Sequence, residues 1–220
     1  MDSVSGVGVI DKAMVIVAAL TRGPLDLADV QEATGLPRAT AHRLVVALER
    51  HHLVRRDSVG RFCLGYELIA LGRAASEQSG VGELALPILR SLRDDCGESV
   101  QLFVREDEGR RCVVSLQSPH ALRWIVPEGS VLPLGAGSAG RVLSGGALAD
   151  GGWVESVEER EPGVASVSAP VRGISGDILA AVSISGPVDR LTRSPGARLG
   201  SMVATAGSRI GEVLRVAQRS

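Results

Sequence analysis

Residues 27–64 read LADVQEATGLPRATAHRLVVALERHHLVRRDSVGRFCL, and the order of breakers and apolar positions in them decides the fold of the N-terminal part. Ala28 to Thr34 has helical character and stops at Gly35, a residue that takes positive φ without steric cost. Leu36 and Pro37 follow. Proline has no amide hydrogen and is tolerated only in a first helical turn, so a second helix starts at about Pro37. In that helix Ala41, Leu44, Val45 and Leu48 recur at i, i+3, i+4 and i+7 and form one apolar stripe. The opposite face carries Arg38, Thr40, His42, Arg43, Glu49 and Arg50. An isolated amphipathic helix with such a face is most often merely solvated. Here a short glycine-ended helix precedes it at helix-turn-helix spacing, which lays the second helix across a major groove of duplex DNA.

Working outward, Leu53–Asp57 and Arg61–Leu64 flank the turn Ser58-Val59-Gly60, which predicts a two-stranded wing. From Arg38 to Arg61 the cations are Arg38, Arg43, Arg50, Arg55, Arg56 and Arg61, against Glu49 and Asp57, so this strip is net +4 in a chain of formal charge −1. A local basic strip suits phosphate contact, and arginine can also pair with the edge of guanine. The near-neutral whole argues against a non-specific polyanion binder. The candidate DNA contacts are Arg38, Thr40, His42 and Arg43 on the helix and Arg56 and Arg61 on the wing.

A chain of 220 residues has room for one small domain and one of ordinary size. Met1-Asp2 opens without a basic leader, and the longest apolar run, Ala13–Leu20, is too short to span a bilayer; the expectation is a cytoplasmic protein with no membrane contact. Cys63, Cys96 and Cys112 are too few and too scattered for a disulfide framework or a zinc knuckle and read as buried thiols. Gly8–Arg22 predicts an amphipathic helix with Val9, Ala13, Ile16, Val17 and Leu20 on one side, and it holds Lys12, the chain's sole lysine. A P-loop or a Schiff-base enzyme needs a lysine elsewhere.

Tyr66 to about Ser79 predicts a linker helix, broken at Gln78-Ser79-Gly80. Beyond it lie a helix over Glu83–Cys96, a hairpin of Val100–Arg105 and Cys112–Gln117 around an acidic turn, and a strand candidate at Leu122–Val126. A second strand pair, Ala165–Val171 with Ile178–Ser185, precedes a closing helix over Leu199–Val216. Sequential strands with helices at both ends indicate an α+β antiparallel sheet. The expected domains are 1–65, a linker helix 66–80, and 81–220.

The run LPRATAHRLVVALERHHLVRRDSVGRFCLG resembles the winged helix of IclR-type transcriptional regulators, with its Thr-x-x-Arg-Leu helix and Phe-x-Leu-Gly exit. REPGVASVSAPVRG and ISGPVDRL resemble that family's effector-binding domain, and the nearest branch is the one tied to leucine and other amino-acid biosynthesis. The resemblance implies a GAF-like or profilin-like sensor fold. It also implies a homodimer or dimer of dimers on a pseudo-palindromic double-stranded operator, acting as a repressor under a small effector, an amino acid or keto acid. Carried over residue by residue, the effector pocket comprises Ser138, Ala139, Ser156, Glu159, Ser166, Ser183 and Ser185, more neutral and hydroxyl-rich than in relatives. Serines at alternate strand positions are otherwise commonly solvent-facing.

Gly135-Ala136-Gly137-Ser138-Ala139-Gly140 fits G-x-G-x-x-G, but no βαβ unit surrounds it, so dinucleotide binding is not expected and no cofactor is. Its expected role is to open a short helix at Ser138 whose free amides attract a carboxylate. Between Leu143 and Trp153 the chain is glycine-rich where relatives have a helix, which predicts a pocket open on one side. The alternative function is then a constitutive DNA-binding dimer that no longer senses a ligand. An enzyme is not expected: Gly-x-Ser-x-Gly is absent, and a Ser138/His120 pairing is the one arrangement spacing leaves open. His51-His52 lack ligand spacing, so no metal is expected.

Overall fold

The computed structural model describes residues 7–217, with the backbone alone over residues 76–79. Met1-Asp2, read above for a missing leader, lies outside the described residues. The chain divides into two compact units, residues 1–78 and 79–220.

The first unit contains α1 (Gly8–Leu20), α2 (Leu27–Thr34), α3 (Arg38–Arg50), β1 (Val54–Arg56), β2 (Phe62–Leu64) and α4 (Glu67–Ser79). Asp26 caps α2 in a reciprocal box with Asp29, and Gly35 ends it in the left-handed region at φ 66°. Pro37 stands at the entrance of α3, whose stripe of Ala41, Val45 and Leu48 is buried against Ile16 and Leu20 of α1 and Val30 of α2. Each buried valine or leucine contributes roughly 1.5–3 kcal/mol. β1 and β2 pair antiparallel, Val54 opposite Leu64, and Leu25 bridges to Phe62. Gly65 closes the wing where its amide donates to the Leu53 carbonyl, so near the His52 carbonyl that any side chain would collide. Two boundaries and one face differ from expectation: α1 stops at Leu20 instead of Arg22, the wing strands are shorter, and Val9 is 60% exposed rather than part of the core.

The second unit is a six-stranded sheet with helices on both faces. Its elements are α5 (Val81–Cys96), β3 (Ser99–Glu106), β4 (Gly109–Leu116), β5 (Val131–Pro133), α6 (Ser138–Leu143), β6 (Val154–Val157), β7 (Val164–Arg172), β8 (Ile178–Pro187), α7 (Val188–Leu191) and α8 (Pro195–Ala217). Every neighbouring pair is antiparallel in the order β5-β4-β3-β8-β7-β6. The α+β antiparallel class read from the sequence is therefore the observed one. One face packs Val100, Leu102, Val167, Val182 and Ile184 against α5 and α8. Along α8, Gly207 and Gly211 let the helix lie on the carbonyls of Pro170 and Arg172, while Gly196 and Gly200 rest on the Trp153 ring.

Leu122–Val126 is not a strand; the edge strand is instead β5, with Pro133 at its end, and β6 was not anticipated. Pro133 pairs with Gly109 of β4 at the sheet edge, where a proline removes no ladder bond that the core needs. The bridge 144–152 is irregular, as its glycines require, but Leu148 still packs against the second core with Phe103, Val142 and Val154. Cys63 and Cys112 are buried, whereas Cys96 is only half-buried. Burial, then the Glu128 charge, pushes the Cys112 thiol up to about 12, and burial likewise raises Cys96.

Candidate functional site

The first unit presents a cationic helix face. Because the stripe of α3 faces the core, Arg38, His42, Arg43 and Arg50 are left exposed, with Thr40 half-buried among them. None of these three arginines makes an ion pair among the described residues. On the wing, Arg56 and Arg61 are also exposed, but each already has partners. Arg56 reaches Glu49 at 3.2 Å and lies over the Phe62 ring at 4.3 Å, while Arg61 meets Asp57 at 2.9 Å. Arg55, counted in the basic strip, stacks on Tyr66 at 4.8 Å and has its Nε buried. Asp57 accepts from the amides of Val59 and Arg61, which shapes the tip ahead of Gly60 at φ 86°. Burial pushes its carboxyl up, but those amides and the Arg61 guanidinium together outweigh it and hold the carboxyl below the usual aspartate value. The face that can meet DNA without breaking an internal pair is thus α3.

The second unit encloses a cavity of about 40 Å³ on the sheet face opposite α5 and α8. Strand alternation explains its wall: Ala165 and Val167 go to the helix side, so Ser166 and Ser168 turn the other way, and Ile184 and Val182 likewise leave Ser183 and Ser185 on the cavity side. Ser138 and Ala139 come from α6, Ser156 from β6, and Glu159 from the turn after it. Ser138, Ala139, Ser156, Glu159, Ser166, Ser183 and Ser185 line one cavity together. Ser138, Ser168, Ser183 and Ser185 are buried rather than solvent-facing alternates. Ser138 Oγ lies 2.7 Å from both Ser166 Oγ and Ser168 Oγ, and Ser168 donates to Ser183 at 2.9 Å. Its partners are hydroxyls and no histidine lines the cavity, so the Ser138/His120 pairing does not form.

Two expectations about this site change. The wall is not neutral: Arg110, only 3% exposed, lies in it with Arg160, Gln101, Phe103 and Trp124, none of them anticipated. The glycine-rich bridge contributes no residue to the lining. The glycines of the 135–140 motif serve Arg110 instead. A side chain at Gly140 would collide with its guanidinium and one at Gly137 would come within 3.3 Å, while the carbonyls of Pro133 and Ala136 accept from Arg110 Nη1. The amide of Gly137 donates to Glu159 Oε2 at 3.1 Å, so the opening of α6 meets a carboxylate of the protein itself.

Residues 9–58 match the IclR helix-turn-helix domain and residues 146–212 the bacterial transcriptional regulator IclR C-terminal domain. The chain belongs to the IclR family. It is a DNA-binding transcriptional regulator of that type, and its first unit carries the reading domain. The transcriptional repressor IclR of Escherichia coli is 24% identical over 87% of this chain and 84% of its own length. A transcriptional regulator structure from Rhodococcus sp. RHA1 superposes with a TM-score of 0.82 at 24% identity, covering 96% of this chain and 99% of that one. An IclR homologue from Microbacterium hydrocarbonoxydans, complexed with 4-hydroxybenzoate, has a TM-score of 0.80 at 20% identity over 94% and 99% of the two chains. The names of the relatives lend no support to the leucine and amino-acid-biosynthesis branch. Among the described residues no helix is long and apolar enough to cross a membrane.

Proposed function

We propose that this regulator is a cytoplasmic, homodimeric repressor that reads a pseudo-palindromic operator through two copies of α3 and is released or retained by a small molecule in the serine-walled cavity. The observation that carries the reading is the exposed trio Arg38, His42 and Arg43 at the N-terminal end of α3, where a recognition helix meets base edges. Repression is drawn from the name of the Escherichia coli relative, and ligand control from the complexed homologue. Dimerisation is supported by apolar side chains with no cover: Val9, Ile10 and Met14 on α1, and Tyr66, Ile69 and Leu71 on or beside α4, are each more than half exposed. In this reading residues 1–65 bind DNA, 66–80 form the linker helix, and 81–220 sense the effector. Within the cavity Ser138, Ala139, Ser156, Glu159, Ser166, Ser183 and Ser185 contact it. A dimer of dimers, and leucine-biosynthesis genes as targets, rest on the sequence resemblance alone.

Only a ligand that prefers one arrangement of the two reading helices changes operator affinity. Footprinting upstream of the protein's own gene should protect two half-sites about 10 base pairs, or a multiple, apart. A single short protected site, or none above non-specific background, sinks the dimeric-operator reading.

A further inference from the structure

We propose a ligand site separate from the serine-walled cavity: the groove between the glycine-rich bridge, the end of β7 and the last turns of α8 takes a small phosphomonoester, whose phosphoryl group sits between Arg172 and Arg215. It goes beyond the reading of the cavity as a sensor and does not depend on it.

About 260 Å³ of space lies between Leu148 of the bridge, Pro170 and Arg172 of β7, and Ala204, Ser208 and Arg215 of α8. The two arginines come from elements that the fold presses together. Because Gly211 has no side chain, α8 approaches the Arg172 carbonyl, and one turn later Arg215 reaches the groove that the Arg172 side chain also lines. No acid lines this groove, and neither arginine makes an ion pair among the described residues. Other surface grooves carry their own counter-charge. The one between α5 and α8 has Asp95 in its wall with Arg209, and the one at the β3–β4 turn has Glu106, Asp107 and Glu108 with Arg111.

Arg215 is half-buried in the groove wall. A guanidinium partly withdrawn from water without a counter-charge favours any anion that reaches it. Arg172 gives an Nη1 hydrogen to the Gly176 carbonyl at 2.8 Å, which orients the side chain and leaves the rest of its fork uncommitted. Two such forks around one space match the three terminal oxygens and near-double charge of a phosphoryl group better than a single negative charge. Ser208 adds a hydroxyl donor on the same wall, and Leu148, Pro170 and Ala204 add apolar surface for a carbon stem. The volume also calls for a stem, since one water-sized group needs only about 10–15 Å³. Arg215 stands in the last turn of α8, where the helix carbonyls favour a cation. That preference accounts for one arginine but not for the second, which β7 brings. The same carbonyls oppose an anion, but more weakly than two guanidinium pairs attract it.

The test titrates the full chain, without DNA, with butyl phosphate, inorganic phosphate and butyl sulfate, by calorimetry and thermal shift at matched ionic strength. Butyl phosphate should bind and raise Tm, because it ties α8 to β7. Inorganic phosphate, which lacks the stem, and butyl sulfate, which has the same shape but one charge, should each bind about tenfold more weakly. A phosphomonoester gains its second charge near about pH 6, so butyl phosphate should tighten between about pH 5 and pH 7.5 while butyl sulfate stays level. Arg215→Gln breaks no internal ion pair and should abolish butyl phosphate binding at unchanged circular dichroism. Arg172→Gln should weaken it at least tenfold. The arginines of α3 and the wing, and Arg110 in the cavity, are intact in both variants, so loss of binding locates the anion in this groove. Butyl phosphate that does not bind, that binds Arg215→Gln as tightly as the parent, or that binds no better than butyl sulfate at about pH 7.5 overturns the assignment.

Discussion

Arg43 and Arg61 show how two arginines in one basic strip come to differ. Arg43 is exposed on α3 without an ion pair among the described residues, so a contact to a base edge would break no internal pair. Arg43→Ala should lose sequence-specific binding by about 1–3 kcal/mol per contact while leaving non-specific binding little changed. A gel-shift affinity for the operator equal to that of the parent removes Arg43 from the reading set. Arg61 and Arg56 are held by Asp57 and Glu49, and both pairs are exposed enough to be screened by salt. Replacing either arginine by alanine should weaken binding to all sequences alike and flatten its salt dependence, and an unchanged salt slope would exclude a phosphate contact. Gly65 belongs at this scale too. Since a side chain there meets the His52 carbonyl, Gly65→Ala should lower the Tm of the N-terminal unit and broaden its transition. The glycine of the Phe-x-Leu-Gly exit could be recognised from the sequence, but the carbonyl that requires it is brought there only by the return of the wing.

Two elements owe their shape to contacts of unlike kind. The wing tip is held by one carboxylate, and the sign of its pH response follows from the depressed value of Asp57. The ionised side chain favours the folded wing above the ordinary aspartate value of 3.8, and that contribution is lost as pH falls through the lower folded value. Amide exchange at Val59 and Arg61 should therefore accelerate relative to the rest of the unit only in acid below about pH 4. Exchange that changes equally at neutral pH would contradict it. Helix α8 instead depends on missing side chains. A methyl at Gly207 would sit 2.6 Å from the Pro170 carbonyl, which cannot move without disturbing β7. Overpacking of this kind costs about 1–3 kcal/mol, against about 1 kcal/mol of helix propensity returned by alanine. Gly207→Ala should lower Tm, and a variant at least as stable as the parent would show that α8 does not rest on that strand. Period and breakers announced α8 without its first turn, because Pro195 and Gly196 read locally as a loop. Edge strands β5 and β6, of three and four residues, had too few positions to show any alternation.

For the molecule as a whole, the exposed apolar residues of α1 and α4 predict association. Sedimentation should find a dimer, and Ile10→Glu with Met14→Glu should yield a folded monomer with far weaker operator binding; a parent that is monomeric at micromolar concentration would refute this. What the amino-acid order determined by itself was local: where helices start and stop, the stripe of α3, the α+β alternation, and the serine positions that share one side of β7 and β8. These depend on periods of 3.6 and 2 and on glycine and proline, which act within a few residues. The tertiary structure decided which charges are available and what lines the cavity. Arg56 and Arg61 look like Arg43 in a string of letters until folding puts acids beside them. Arg110 is the sharper case. A bulge after Leu102 sets Cys112 opposite Phe103 while Val114 stays opposite Leu102, so positions two apart on β4 fall on opposite faces. Strand alternation alone could not say that Arg110 turns inward, because its burial depends on that bulge, on the turn at Gly137 and Gly140, and on carbonyls more than twenty residues away.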